Sequence, residues 1–192
     1  MDRKTAIIET ATRLFAEKGF TKTSTAEIAE NAGVAHGTLF YHFKNKQGIL
    51  REIFSRSGST YLEELRRTIE DCDTGIEKIE AVIRFNKDYS IHHSQQIIIF
   101  LRVFPDQIRD PRSSERSLME AVRAQVIEII KQSLAAGVED GTIECDNIEE
   151  TAWVINSLIF GITHMDLIQS ADMPELTGNS VKFCRRALKS RL

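Results

Sequence analysis

Between Ser24 and Lys46 the chain gathers groups suited to binding rather than to breaking bonds. Hydroxyls (Ser24, Thr25, Thr38), imidazoles (His36, His42), a phenol (Tyr41) and two ammonium groups (Lys44, Lys46) stand close together in sequence. A hydroxyl donates and accepts hydrogen bonds, an imidazole does either according to its proton, and an ammonium group pairs with anions. Elsewhere the sequence lacks what catalysis needs: no nucleophile stands beside a base, and no glycine-rich loop could cradle a phosphate. His92-His93 does not make a metal site. Adjacent helical residues point about 100° apart, and no carboxylate or cysteine completes a ligand set at helical spacing. Cys72, Cys145 and Cys184 are odd in number, far apart and without a C-x-x-C pair. They read as small buried hydrophobes or plain surface thiols, not as a disulfide framework or zinc site. No cofactor is expected.

The elements around this stretch are short helices. Ser24-x-x-Glu27 is a capping box, in which a hydroxyl takes a free amide and a carboxylate three residues on can reach back. The spacing predicts a helix from Thr25 with Ile28 and Ala29 on its apolar face. Gly33 ends it, because glycine can take the left-handed conformation that closes a helix. A second helix begins near His36, with Leu39 and Phe43 on one side. Upstream, Ile7, Ile8, Ala11, Leu14 and Phe15 recur at helical spacing over residues 3 to 18, and Lys18-Gly19-Phe20 is a good stop. Three helices then share a core of Leu14, Phe15, Phe20, Ile28, Leu39 and Phe43. So small a core must lean on the helix that follows Asn45. Two short helices joined by a glycine-containing turn describe a helix-turn-helix. In that motif the second helix enters the major groove of DNA.

The stretch resembles the TetR family of bacterial one-component regulators. The matching residues are Ala11-x-x-Leu14-Phe15-x-x-x-Gly19-Phe20, Thr23-Ser24-x-x-x-Ile28-Ala29, Ala32-Gly33-Val34 and Gly37-Thr38-Leu39-Phe40-Tyr41-His42-Phe43-Lys44-x-Lys46. Three positions depart from the pattern: Ala35 replaces a capping serine, Phe40 a tyrosine, and Gly48 an acidic residue. The resemblance implies that His36, Gly37, Thr38 and Phe40 face base edges. It also implies that Ser24, Thr25, Thr38, Tyr41, His42, Lys44 and Lys46 belong to the DNA-binding surface, mostly at phosphates. His36 could donate to guanine or accept from adenine, and Phe40 offers only apolar contact, for example to a thymine methyl. Phosphate contacts supply position and salt-dependent affinity without reading sequence.

Charge is consistent with one basic end. The 192 residues carry a net charge of -3. Residues 1 to 50 hold seven lysines or arginines against five acidic residues, and the remainder 18 against 23. A mildly basic head on an acidic body suits a protein that presents one end to phosphate. A hydrophobic fraction of 42% and a mean hydropathy of -0.23 are ordinary for a soluble chain. No apolar run reaches the ~20 residues needed to span a membrane. Met1-Asp2-Arg3-Lys4 leads straight into an amphipathic helix rather than a signal peptide, so a cytoplasmic location is expected.

The remaining chain reads as helical, which makes an all-α fold of about nine helices. A three-helix head (residues 1–46) precedes a helical ligand-binding and dimerisation bundle (residues 47–192). Asn45 caps a long fourth helix to about Ile69. Thr74-x-x-Glu77 opens a fifth, to about His93. The run Ile97 to Phe104 is read as a short buried helix ending at Pro105. A seventh helix follows Pro111 and reaches about Val138, and Glu139-Asp140-Gly141 turns the chain. Asp146-x-x-Glu149 opens a helix over 147–169, and Pro174 precedes a last one, roughly 176–190.

The resemblance implies a homodimer built from the last two helices. The sequence supports it separately, because the helix over 147–169 is apolar nearly all round and must be buried on more than one side. Trp153, Phe160 and Phe183 are candidate anchors; Ser157 and Gly161 would let a partner helix come close, and His164 lies beside them. Two protomers would set two recognition helices about 34 Å apart on a palindromic operator of duplex DNA. The expected effector is a small apolar or amphipathic molecule, held by Tyr61, Leu65, Phe85, Tyr89, His93, Phe100, Phe104, Met119, Val122, Val126 and Phe160. Large apolar walls with few polar groups suit such a ligand. Asn86, His93, Gln96 and His164 are polar candidates for orienting it. The reading is a ligand-released repressor, with helix four as the lever between two populations. Its rivals are a regulator with no small-molecule effector, protein-partnered or constitutive, and a small helical enzyme.

Overall fold

The structure is a computed structural model that describes residues 2–108, 113–168 and 175–189; for 103–108 and 167–168 the description stops at the backbone. Among the described residues there are nine α-helices and no strand. They are α1 (Arg3–Lys18), α2 (Thr25–Asn31), α3 (His36–Phe43), α4 (Lys46–Glu70), α5 (Gly75–His92), α6 (Ser94–Ile108), α7 (Ser114–Glu139), α8 (Ile148–Ile168) and α9 (Leu176–Leu188).

The helix ends follow from named side chains. The Glu27 amide donates to the Ser24 hydroxyl at 3.1 Å, and the Gly48 amide to Asn45 Oδ1 at 2.8 Å. Thr74 and Glu77 close a reciprocal capping box: the Thr74 amide donates to Glu77 Oε2 at 3.0 Å, the Glu77 amide to the Thr74 hydroxyl at 3.4 Å. That bonding, the Thr74 hydroxyl first, holds the Glu77 carboxyl below its ordinary pKa. Gly19, Gly33 and Gly141 have positive φ (85°, 64° and 77°), which a side chain would resist. At α8 the cap is Asn147, not the expected Asp146: Asn147 Oδ1 accepts the Glu150 amide at 3.1 Å, while Glu149 pairs with Lys131 at 2.5 Å. The start signal was right, but two adjacent cap-competent residues blurred which one served. Helix α6 departs more clearly. It runs past Pro105 to Ile108, three residues beyond the expected stop. Proline lacks one amide, so the helix forgoes one bond there. Pro111 and Pro174 lie outside the described residues.

The chain divides into two compact units that interleave in sequence. The first comprises residues 1–59 and 93–120. Its core is Ile7, Ala11, Leu14, Phe15, Ile28, Leu39, Phe43, Ile49, Leu50, Ile53 and Ile99, all buried. Burying one such side chain contributes about 1.5–3 kcal/mol. The helix after Asn45 does complete the head's core, as the short helices require. So does α6, which packs on α1, with Ile98, Phe100 and Leu118 at the margin. An Arg102 guanidinium nitrogen donates to the Ala16 carbonyl at 2.6 Å.

The second unit comprises residues 60–92 and 121–192. Here α5 packs against α8 and α9, and α8 against α9. Arg185 on α9 is paired with Glu80 on α5. The backbones of α5 and α7 approach so closely at Gly75 and Gly137 that a Cβ on Gly75 would fall 2.0 Å from the Gly137 nitrogen. Asp140 locks that corner, accepting from the Gly75 amide at 2.7 Å and the Thr142 amide at 2.9 Å. No described helix is long and apolar enough to cross a membrane.

Candidate nucleic-acid interface

Helix α3 presents one face to the core and the other outward. Leu39 and Phe43 are buried. On the other side Phe40 is 42% exposed and Tyr41 84%. Exposed aromatic rings on a two-turn helix cost hydration and gain nothing in the free chain, which marks the face as built to meet something. Gly37 has no atom within 4 Å of where a Cβ would sit, so the surface there is open. Ala35 precedes the helix without any side-chain cap, as its methyl group dictates.

The first turn of α3 is steadied from α2 instead. The Thr25 hydroxyl lies 3.2 Å from His36 Nε2. It donates to a bare Nε2 or accepts from a protonated one, so the contact survives either tautomer. The His36 ring also meets Phe40 edge to face, centroids 4.7 Å apart at 81°. His36 therefore has one ring nitrogen held and the other free to address a ligand. Tyr41 packs edge-on against His42, centroids 5.3 Å apart, and stays largely exposed. Thr38 and His42 are half-buried and Lys44 exposed. Ser24, expected on the binding surface, is the exposed cap of α2. Glu27, the second half of its box, is paired with Lys18, which lowers the carboxyl's pKa.

Lys46 stands apart from this group. Its ammonium donates to the carbonyls of Phe20 (2.7 Å), Thr23 (2.8 Å) and Thr21 (3.3 Å) and lies 4.5 Å from the centre of the Phe20 ring. Burial pushes its pKa below the ordinary lysine value. Sequence spacing could not foresee this, because those acceptors are backbone atoms more than twenty residues away.

The residues expected around an effector fall into both units. Tyr61, Leu65, Phe85, Tyr89, Val122 and Val126 belong to the second; His93, Phe100 and Met119 belong to the first. Tyr61, Phe85 and Tyr89 form one aromatic cluster, with centroids 5.0 Å (Tyr61–Tyr89) and 5.3 Å (Tyr61–Phe85) apart. The Tyr61 hydroxyl donates to Asn86 Oδ1 at 2.8 Å, and Asn86 donates to the Val82 carbonyl at 2.8 Å. Burial pushes the Tyr89 phenol up to about 12. Phe100 instead packs on Phe54 in the head, centroids 6.4 Å apart. The Phe104 side chain lies outside the described residues. Phe160 is exposed and stacks on His164, at 6.4 Å and 15°. It joins Trp153, Ser157, Gly161 and His164, all exposed along one stripe of α8, with Phe183 exposed on α9.

Residues 7–53 match the family profile described as bacterial regulatory proteins, tetR family. The chain is similar to the fatty acid metabolism regulator protein of Bacillus subtilis (strain 168), 28% identical over 141 residues, 72% of this chain and 69% of that one. Its fold is similar to a transcriptional regulator from Saccharomonospora viridis solved in complex with choline, TM-score 0.88 at 19% identity, covering 98% of each chain. It is also similar to AibR in complex with isovaleryl coenzyme A and operator DNA, TM-score 0.75 at 20% identity, again covering 98% of each. That profile lies on the helix-turn-helix described above, so residues 7–53 carry the DNA-binding helix-turn-helix of tetR-family transcriptional regulators, and the chain as a whole is similar in fold to solved regulators.

Proposed function

We propose that this regulator is a repressor that binds a palindromic operator as a homodimer and is released by a small apolar or amphipathic effector. Residues 1–46 would carry the DNA contacts, and residues 47–192 the effector and the partner protomer, inside a cytoplasm. The observation that carries the DNA half is the outward face of α3: His36 tethered by Thr25, with Phe40 and Tyr41 exposed beside it. His36, Gly37, Thr38 and Phe40 then read bases, and Ser24, Thr25, Tyr41, His42 and Lys44 meet the backbone. The effector half rests on the Tyr61–Phe85–Tyr89 cluster, with Leu65, Val122 and Val126 in the same unit. The names of two relatives, one for fatty acid metabolism and one with a bound acyl thioester, favour an acyl chain over a cation such as choline.

One observation favours a regulator without a small effector. Tyr61 and Asn86 already satisfy each other without a ligand. The two readings separate in one experiment. Duplex binding is measured across a salt series, with and without fatty acids, acyl-coenzyme A thioesters and choline. Binding that falls steeply with salt supports the DNA half. An effector must also raise the melting temperature of the free protein by mass action and weaken duplex binding by a reciprocal factor. No thermal shift with any of these ligands leaves the effector-free reading standing.

A further inference from the structure

An ammonium group has three hydrogens, and in Lys46 each has an acceptor within the head unit. Phe20, Thr21 and Thr23 turn their carbonyls toward one nitrogen, at 2.7, 3.3 and 2.8 Å. The Phe20 ring lies beneath it at 4.5 Å, within the range of a cation–π contact. These carbonyls belong to the loop that closes α1 and opens α2. The loop is held from its other side as well: the Thr23 hydroxyl, buried, donates to the Gly19 carbonyl at 2.9 Å. A backbone turned inward this way is built around a cation.

We propose that Lys46 is a positioning residue, which clamps the α1–α2 loop onto the start of α4 and so aims the N-terminus of α2 and the His36 tether at DNA. It is not a phosphate contact, although its place in the motif suggests one. To reach a phosphate the side chain would have to abandon three carbonyls, which would then need other donors. The route from Lys46 to the base-facing surface is short. Thr23 is followed by Ser24, the cap of α2, and by Thr25, whose hydroxyl meets His36. Loss of the clamp therefore loosens every part of that surface together, without removing a charge that faces the duplex. The inference rests on the DNA-binding reading and deepens it.

The test uses the full chain with Lys46→Met, Lys46→Gln and, for comparison, Lys44→Ala. Three quantities are read: the melting temperature without DNA, the slope of log affinity against log salt on a mixed duplex, and the sites selected from random duplexes. A phosphate-contacting lysine lowers the salt slope by about one unit when removed, and Lys44→Ala is expected to do so. Lys46→Met is expected to keep the wild-type slope, to bind its preferred duplex roughly tenfold more weakly, to melt earlier and to relax the preference that His36 sets. Lys46→Gln retains amide donors and is expected to fall between it and wild type. Should the methionine variant fail to fold while the glutamine variant folds with an unchanged slope, the clamp is supported. A slope lowered by about one unit in either variant, or an unchanged melting temperature for the free methionine variant, overturns it. If the wild-type chain binds no duplex at all, the regulatory reading fails, while the melting temperatures still decide whether Lys46 holds the loop.

Discussion

A Cβ on residue 48 would fall 2.2 Å from the Phe43 carbonyl oxygen, closer than any real contact. The reason lies just upstream. After α3 the chain reverses through Lys44, whose φ of 59° is unusual for a residue with a side chain, and this folds the Phe43 carbonyl over the first turn of α4. Gly48 is therefore required by the turn, although in sequence it reads only as a departure from the family pattern. Gly48→Ala is expected to destabilise the chain by about 1–3 kcal/mol through forced displacement of Phe43, more than alanine's helix propensity returns. Urea unfolding followed by circular dichroism measures it, and equal or greater stability would show that the turn yields freely. Lys44, by contrast, is exposed. Lys44→Ala should leave stability within ~0.5 kcal/mol while reducing the salt slope of duplex binding. At this scale the sequence is legible where a residue acts locally, as with Ser24 and Asn45 capping their own helices. It is silent where the partner is a distant backbone atom, as for Lys46.

Helix starts were legible for the same local reason, since Thr74 and Glu77 need only three residues of separation to close their box. Thr74→Ala is expected to cost about 0.5–2 kcal/mol. It also changes the acid limb. Bonding to Thr74 lowers the Glu77 carboxyl from 4.5, so its contribution is fully present above that pH and is lost as pH falls through the lowered value. Melting temperatures measured from pH 7 down to pH 3 should therefore converge for the variant and wild type at the acid end. Curves that stay parallel would show that Glu77 does not help hold α5. The neighbourhood of α6 was not legible. A run of isoleucines announces burial but not against what, and the Arg102 bond to Ala16 joins positions 86 apart. That bond satisfies a carbonyl in the last turn of α1 and adds α6 to the head's core. Arg102→Ala is expected to lower stability by about 1 kcal/mol with duplex salt slope unchanged, since the guanidinium faces the α1 carbonyl. A lowered slope would place Arg102 at the DNA instead.

On the scale of the whole molecule, the informative feature is apolar surface that the single chain leaves uncovered. Along α8 the inward residues Ala152, Ile155, Ile159 and Ile162 are buried, while Trp153 (45%), Val154 and Phe160 remain exposed, as does Phe183 (58%) on α9. This explains why α8 reads as apolar all round: one side serves its own unit and the other stays exposed among the described residues. Arg123 covers part of the Trp153 ring at 5.9 Å, and Trp153 donates to Glu149 at 3.2 Å, so the edge of this face is polar while its middle is not. An apolar centre with a polar rim, carrying aromatic anchors, suits a partner protomer. Gly161 offers a clean test, because a Cβ there meets no atom within 4 Å and an aspartate fits the single chain without strain. Gly161→Asp is expected to keep its circular dichroism spectrum yet to elute and scatter light as a monomer. A specific interface buries about 1,000 Å² or more in total, too little to tolerate an unpaired charge at its centre. The same variant should bind a single half-site like wild type but lose its advantage on a full palindrome, because two heads must act as one body to gain from two half-sites. An intact dimer for Gly161→Asp would move the interface off this stripe. A monomer that still prefers the palindrome would separate dimerisation from operator recognition.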